Sequence, residues 1–356
     1  MSSLFKSVKA RVRDMRPYSL TPERARVKIN QNENPWDVAA SIKQETLARA
    51  AARTWSRYPD FVPAALQERL ALFAGWKADG VIAGNGSNEL IQALMMVTVG
   101  EGVRVLISEP TFALYRQLAT ILGGEIISVP LTTDFEYDLR DLRKAIEANQ
   151  PQVTIICSPN NPTGSLMAND DIAALAEAAR GLIVIDEAYF EFAEQSAVPL
   201  LERHSNVVVL RTFSKAMAMA ALRVGYLLAA PELVREISKA VLPYNLNALS
   251  QSAAEVAVEK YGTEIEPLVR KIIDERERLY KEIARIPGLN PVRSRGNFMI
   301  VRSEISPRRV FNELLNRDIL IRDVSGYPML KDYFRVSVGT PAENDLLVAA
   351  LLEVFT

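Results

Sequence analysis

The chain holds one cysteine, Cys157, and one histidine, His204, in 356 residues. The single thiol excludes an internal disulfide and any multi-cysteine metal centre, and it fits a reducing, cytoplasmic setting. The single imidazole excludes a multi-histidine metal site, and a Ser-His-Asp triad would have to run through His204. That residue lies in the polar stretch Leu201-Glu-Arg-His-Ser205 and reads as surface. Proton transfer in an enzyme built on this sequence falls first to lysine. Excess charge is also lacking: 42 Lys and Arg face 43 Asp and Glu, a net charge of −1. Neither nucleic acid nor an anionic membrane is indicated as a partner. No apolar run reaches the roughly 18–20 residues that span a bilayer. Met1 to Arg16 is basic without the apolar centre of a secretory signal, and reads as an arm.

What is present is an ordinary globular composition, 49% apolar and 24% charged. The length suits two domains with a large core. Apolar runs at Val103–Ser108, Glu125–Pro130, Gln152–Cys157, Leu182–Asp186, Val207–Arg211 and Val224–Ala229 read as strands. Helical periodicity falls between most of them, at Asn88–Val99, Thr111–Leu122, Leu139–Asn149 and Asn169–Ala179. Such alternation predicts an α/β fold with a mostly parallel central sheet covered on both faces. After Pro243 the pattern changes to a long, charged, helix-forming stretch, Ala248–Ile286, followed by short strands and helices. The expected division is an arm at 1–30, a large domain at 31–245 and a smaller C-terminal α/β domain at 246–356.

The most informative stretch is Arg211-Thr-Phe-Ser-Lys-Ala-Met-Ala-Met-Ala-Ala-Leu-Arg-Val-Gly-Tyr226. It sets Lys215 among small and apolar neighbours, where an ammonium loses hydration and its pKa falls. A lysine near neutrality can form a Schiff base with an aldehyde cofactor such as pyridoxal 5′-phosphate, whose phosphate calls for a fixed cation like Arg223. Gly84-Asn-Gly-Ser-Asn-Glu-Leu90 is a glycine turn entering a helix, where backbone N–H groups suit a phosphate or Ser87 caps the helix. Its glycines do not complete the dinucleotide pattern G-x-G-x-x-G, because Glu89 stands at the third position. Ser158-Pro-Asn-Asn-Pro-Thr-Gly164 is a rigid turn that holds Asn side chains after a buried strand. Leu182-Ile-Val-Ile-Asp-Glu-Ala-Tyr189 ends a buried strand in acid, with Asp186 at the carboxyl end where ligands gather in such sheets.

The order Asn161, Asp186, Tyr189, Ser214-Lys215, Arg223 resembles a pyridoxal-phosphate-dependent aminotransferase of fold type I. The fuller set adds Arg16-Pro-Tyr18, Asn32-Glu-Asn-Pro35, Arg57-Tyr-Pro-Asp60 and Phe334-Arg-Val-Ser-Val-Gly-Thr340, and resembles the histidinol-phosphate aminotransferase family over nearly the whole chain. The resemblance implies that Lys215 forms the covalent link to the cofactor and later carries the proton. It implies that Asp186 pairs with the pyridine nitrogen, that Asn161 and Tyr189 hydrogen-bond the phenolate oxygen, and that Phe112 stacks on the ring. Ser87 and Asn88 through their backbone, and Ser214 and Arg223 through their side chains, would hold the phosphate. Tyr58 would reach the cofactor of a second subunit, making the homodimer a requirement. Arg335 would bind the α-carboxylate of glutamate or the phosphate of histidinol phosphate. Arg322 and Tyr18 would be further phosphate contacts, and Asn32 would line the substrate entrance. Phe112 stands where many relatives carry tyrosine, and Ala221 where they often carry glycine. The substrates implied are histidinol phosphate and 2-oxoglutarate. Aromatic amino acid aminotransferases and threonine-phosphate decarboxylases share the framework and remain alternatives.

Overall fold

The computed structural model describes residues 6–15 and 23–356. Its centre is a sheet of seven strands. In chain order these are β2 (Val81–Gly84), β3 (Arg104–Glu109), β4 (Glu125–Pro130), β5 (Val153–Cys157), β6 (Leu182–Asp186), β7 (Val207–Thr212) and β8 (Gly225–Leu228), with β1 (Val27–Lys28) outside the sheet. The spatial order is β2-β8-β7-β6-β5-β3-β4. β8 runs antiparallel to both its neighbours, while the pairs β7–β6, β6–β5, β5–β3 and β3–β4 are parallel. The sheet is thus mostly parallel, as the alternating pattern predicts, and helices cover both faces.

Why the central strands read as unbroken apolar runs is visible in their side chains. Ile183 and Ile185 of β6, with Val207 and Val209 of β7, enter the core on one face. Val184, Val208 and Leu210 enter the core on the other. A strand turns successive side chains to opposite faces, so a strand buried on both faces has no polar positions to spare. The apolar run breaks only at the carboxyl end, where Asp186 stands. β2 gave no comparable signal: it is four residues, Val-Ile-Ala-Gly, squeezed between glycine turns.

The C-terminal part carries a four-stranded antiparallel sheet, β12-β13-β10-β9, made of β9 (Leu289–Pro291), β10 (Phe298–Ser303), β12 (Arg322–Asp323) and β13 (Tyr333–Ser337). β11 (Ile319–Leu320) pairs in parallel with β1. Val27 and Ile29 share a core with Leu279, Phe311, Leu314 and Leu347, so the chain just ahead of Asn30 is stitched into C-terminal structure. The long helical stretch expected at Ala248–Ile286 is two helices, Ala248–Glu259 and Glu266–Ile283, joined by a wide turn at Tyr261–Ile265. Gly262 loosens the backbone there. Pro267 opens the second helix, at a position where its missing N–H costs nothing. No helix among the described residues is long and apolar enough to cross a membrane.

Candidate active site

A cavity of about 500 Å³ opens at the carboxyl ends of β5, β6 and β7, where ligands gather in open α/β sheets. It brings together Ser87, Asn88, Phe112, Asn161, Asp186, Tyr189, Ser214, Lys215, Arg223, Arg322 and Arg335, with Asn32 in its wall. These positions span most of the chain and meet only through the fold.

Asp186 forms the floor and is 3% exposed. Burial pushes its carboxyl up to about 6, against the opposing pull of a hydrogen bond donated by Tyr115. The Tyr115 hydroxyl donates to Asp186 Oδ2 at 2.6 Å, and the Ala188 N–H donates to Oδ1 at 3.1 Å. The adjacent Glu187 faces the other way, as strand alternation requires. Arg211 donates to its carboxylate at 2.9 Å, and both residues are buried. Tyr115 carried no signal of its own in the sequence. It lies in the first turn of the helix Leu114–Leu122, just after Phe112, and the two rings meet edge to face at 5.6 Å.

Lys215 lies above the floor. Burial, then the nearby positive charge of Arg335, pulls its ammonium down to about 7. Its Nζ donates to the Gln31 carbonyl at 2.9 Å and lies 5.8 Å from the centre of the Tyr189 ring. In the Ser158–Gly164 turn the two asparagines divide the work. Asn160 is fully buried and ties the turn to its surroundings: it donates to the Pro110 carbonyl and to Thr163 Oγ1, and accepts from Thr111. That leaves Asn161 to enter the cavity, where its Oδ1 accepts from Arg335 Nη1 at 2.6 Å. Asn32 is more than an entrance residue. Its amide donates to the Tyr189 hydroxyl at 3.1 Å and accepts from the Ser337 hydroxyl at 3.0 Å, which fixes the tyrosine.

Opposite the floor the backbone closes into a cradle. The helix Ser87–Thr98 starts there, with Gly86 (φ +81°) at its cap and Ser87 as its first residue, so the serine does not cap the helix. Arg223 Nη1 donates to Ser214 Oγ at 3.1 Å, and Thr212 Oγ1 bonds the same oxygen at 3.0 Å. A Cβ on Gly86 would sit 2.4 Å from Arg223 Nη2, and a Cβ on Gly225 would sit 2.3 Å from the Ser87 nitrogen. Only glycine lets β8, the helix N-terminus and the guanidinium approach this closely. Gly225→Ala is therefore expected to weaken uptake of a phosphorylated cofactor by at least about tenfold, an order set by a charge-assisted contact. An equilibrium titration of the apoprotein checks this, and unchanged affinity would refute the cradle's role.

Arg322 and Arg335 are direct partners across the β12–β13 ladder, and both line the cavity. Like charges set opposite each other in a sheet repel, so this corner favours an anion. Arg335 is 7% exposed and is further held by the Asn30 carbonyl at 2.7 Å. Tyr58 is not in the cavity. It is 80% exposed and stacks on Tyr244 at 4.4 Å. Tyr18 lies outside the described residues.

Comparison with known proteins gives the family and the fold. The family described as Aminotransferase class I and II matches residues 25–351. "Histidinol-phosphate aminotransferase 1" of Carboxydothermus hydrogenoformans is 39% identical over 350 residues, covering 98% of each chain. The histidinol-phosphate aminotransferase of Chlorobium phaeovibrioides is 36% identical over 345 residues, covering 96% of this chain and 95% of its own. Among solved structures, the Sinorhizobium meliloti histidinol-phosphate aminotransferase in complex with pyridoxal-5′-phosphate superposes with a TM-score of 0.89 at 27% identity, covering 99% of this chain and 98% of that one. The chain belongs to the class I and II aminotransferases, within the histidinol-phosphate aminotransferase family.

Proposed function

We propose that this aminotransferase uses pyridoxal 5′-phosphate to move an amino group between histidinol phosphate and 2-oxoglutarate. The observation that carries the substrate reading is the opposed pair Arg322 and Arg335 at the cavity edge, across from Lys215. A phosphate monoester offers two negative charges to two guanidinium groups, and arginine matches its oxygens in a fork. An aromatic amino acid brings one carboxylate and leaves the second guanidinium unanswered.

The cavity fits the cofactor on its own terms. The cradle of Gly86, Ser87, Ser214, Arg223 and Gly225 has the donors and the clearance that a phosphate needs. Asp186 is an acid whose proton affinity is raised by burial, and a pyridinium N–H would offer it a cationic partner. Bound there, pyridoxal phosphate supplies an aldehyde that condenses with amines and a ring that accepts the electron pair left at the substrate's α-carbon.

The residues around it have separable tasks. Lys215, with its ammonium pulled down to about 7 and so partly neutral near that pH, is the nucleophile and the base that takes the proton from the donor's α-carbon. Asp186 holds the proton on the ring nitrogen, and Tyr115 holds Asp186 in place. Asn161 and Tyr189 hydrogen-bond the phenolate oxygen, with Tyr189 oriented by Asn32. Phe112 covers the ring face. Ser87 and Asn88 give backbone N–H groups to the phosphate, beside Ser214 and Arg223. Arg335 takes the carboxylate of glutamate in one half-reaction and shares the phosphate of histidinol phosphate with Arg322 in the other. Tyr18 is kept as a further phosphate contact on the sequence pattern alone.

The reading extends to assembly. Trp55, Tyr58, Phe61 and Leu242 are each at least 65% exposed, and Tyr58 and Phe61 both pack on Tyr244. A cluster of bare aromatics of this kind marks an interface. The homodimer, with Tyr58 reaching the second subunit's phosphate, gives it an occupant. The working division remains 31–245 for cofactor binding and 246–356 for the C-terminal domain, with a cytoplasmic setting.

Rapid mixing of the cofactor-loaded protein with each amine tests the substrate. The visible cofactor band is expected to decay with histidinol phosphate at a concentration at least about tenfold below that needed for phenylalanine, the scale of one well-made polar contact. A stronger response to phenylalanine would assign the protein to aromatic substrates, and release of CO2 from threonine phosphate would assign it to the decarboxylases.

A further inference from the structure

We infer that Ser337 is a positioning residue for the cofactor: through Asn32 it keeps the Tyr189 hydroxyl turned as a donor toward the cofactor's phenolate oxygen. The inference rests on the reading above that Tyr189 meets that oxygen, and it does not depend on the amine substrate. Ser337 lies on β13, two residues beyond Arg335 and so on the same face of the strand. Its Oγ accepts from the Asn32 N–H at 2.8 Å, and its hydroxyl donates to Asn32 Oδ1 at 3.0 Å. Asn32 Nδ2 in turn donates to the Tyr189 hydroxyl at 3.1 Å. All three residues are buried.

The direction of this chain follows from its first link. A backbone N–H can only donate, so the serine oxygen facing it is an acceptor and the serine proton is left for Oδ1. An amide engaged through Oδ1 presents its NH2 on the other side, and there the tyrosine oxygen must accept. A hydroxyl that accepts from Asn32 has its own proton to give elsewhere. Turning the amide over would aim two donors at the serine oxygen and leave the serine proton no acceptor among the described residues. It would also draw the Tyr189 proton onto Asn32. The frame is fixed from several sides. Asn32 has φ +53°, a left-handed conformation that asparagine tolerates better than most side chains. Asn297 Nδ2 donates to the Asn32 carbonyl at 3.1 Å, and the Ser337 N–H donates to the Ile29 carbonyl at 2.9 Å. Burial holds the Tyr189 phenol well above its ordinary range, so it keeps the proton it would donate. The charged and titratable groups that face it are Arg335, Cys157 and Asp186, with Lys215 Nζ 5.8 Å from the ring centre. All of these stay in place in the variants below.

A donor aimed at a phenolate favours its ionised form, so the bound cofactor's visible band should change at a lower pH than it would without that donor. The test follows this transition by absorbance, after cofactor uptake has been measured for each protein. Tyr189→Phe is expected to move the transition up by about one pH unit, and Ser337→Ala by about half a pH unit in the same direction, the scale of one neutral hydrogen bond. In the Tyr189→Phe background Ser337→Ala should add nothing, because its route runs through the missing hydroxyl. Asn32→Ala cuts the same chain at its middle link and should behave alike, and it serves as the test if Ser337→Ala does not fold. An unmoved transition in both Ser337→Ala and Asn32→Ala would overturn the inference. So would a shift that persists undiminished when Tyr189 is already phenylalanine, since it would then reach the cofactor by another route. A transition that Tyr189→Phe itself does not move would defeat the phenolate reading, and this inference with it, before the other variants are compared.

Discussion

Lys215→Ala should lower turnover of histidinol phosphate by about 10⁴-fold or more while the protein still takes up pyridoxal phosphate. The size follows from losing a positioned base and a nucleophile in one deletion. The survival of uptake follows from the cradle, since Ser87, Ser214, Arg223 and Gly225 do not depend on the lysine. Borohydride treatment separates the two effects: it should fix the cofactor to wild-type protein and leave none on the variant. Wild-type turnover in the variant would refute the assignment. The same lysine also leaves a mark on the apoprotein's stability. Its folded pKa of about 7 lies below the usual 10.5, so between those values the unfolded chain binds more protons than the folded one. Stability then rises with pH across that window, and Lys215→Met should flatten the rise in a denaturant series.

Asp186→Ala should cost about 10²–10³-fold in kcat, the usual range for removing a preorganised electrostatic partner. The substitution leaves the cradle and Lys215 in place but removes the anion that keeps a ring nitrogen protonated. Asp186→Asn should cost nearly as much, because the charge matters more than the shape. In the apoprotein the sign is reversed for stability. Burial raises the Asp186 carboxyl to about 6 from an ordinary 3.8, so between those two values the folded chain binds more protons than the unfolded one. Stability then falls as pH rises through that interval, and above it the ionised carboxylate is a standing cost. The apoprotein of the Asp186→Asn variant should therefore melt higher than wild type once the pH exceeds the folded value of about 6, even as its loaded form loses activity. A variant with wild-type kcat would sink the electronic role.

Much of this site was legible because its parts sit at strand ends. A strand buried on both faces reads as an apolar run, so the first acid at its close, Asp186, announces itself. Lys215 was legible for a related reason, as a charge in a run of alanines and methionines. The Ser158–Gly164 turn was legible from its prolines, though which asparagine enters the cavity depends on how Asn160 is consumed. What sequence could not give was anything created by approach across the fold. Tyr115 under Asp186 is buried and resembles any core aromatic until the helix Leu114–Leu122 is set against the end of β6. The opposition of Arg322 and Arg335 depends on the β12–β13 register. Asn30 and Asn32 are two residues apart and chemically identical. Only the neighbours supplied by the rest of the chain leave one amide saturated and the other unpaired among the described residues. The wide turn at Tyr261–Ile265 escaped for the opposite reason, because the local helical signal is strong on both sides of it.

Three successive residues, Asn30, Gln31 and Asn32, hold Arg335, Lys215 and Tyr189 in turn. Adaptation of the enzyme to new amines has little freedom along this segment, because a substitution that reshapes the pocket there also shifts the base and the anion anchor. The route left open runs through Val324, which lines the cavity and has no polar side-chain group with which to hold the base or the anion anchor. Laboratory selection for altered substrates should accumulate its changes there and leave the 30–32 segment untouched.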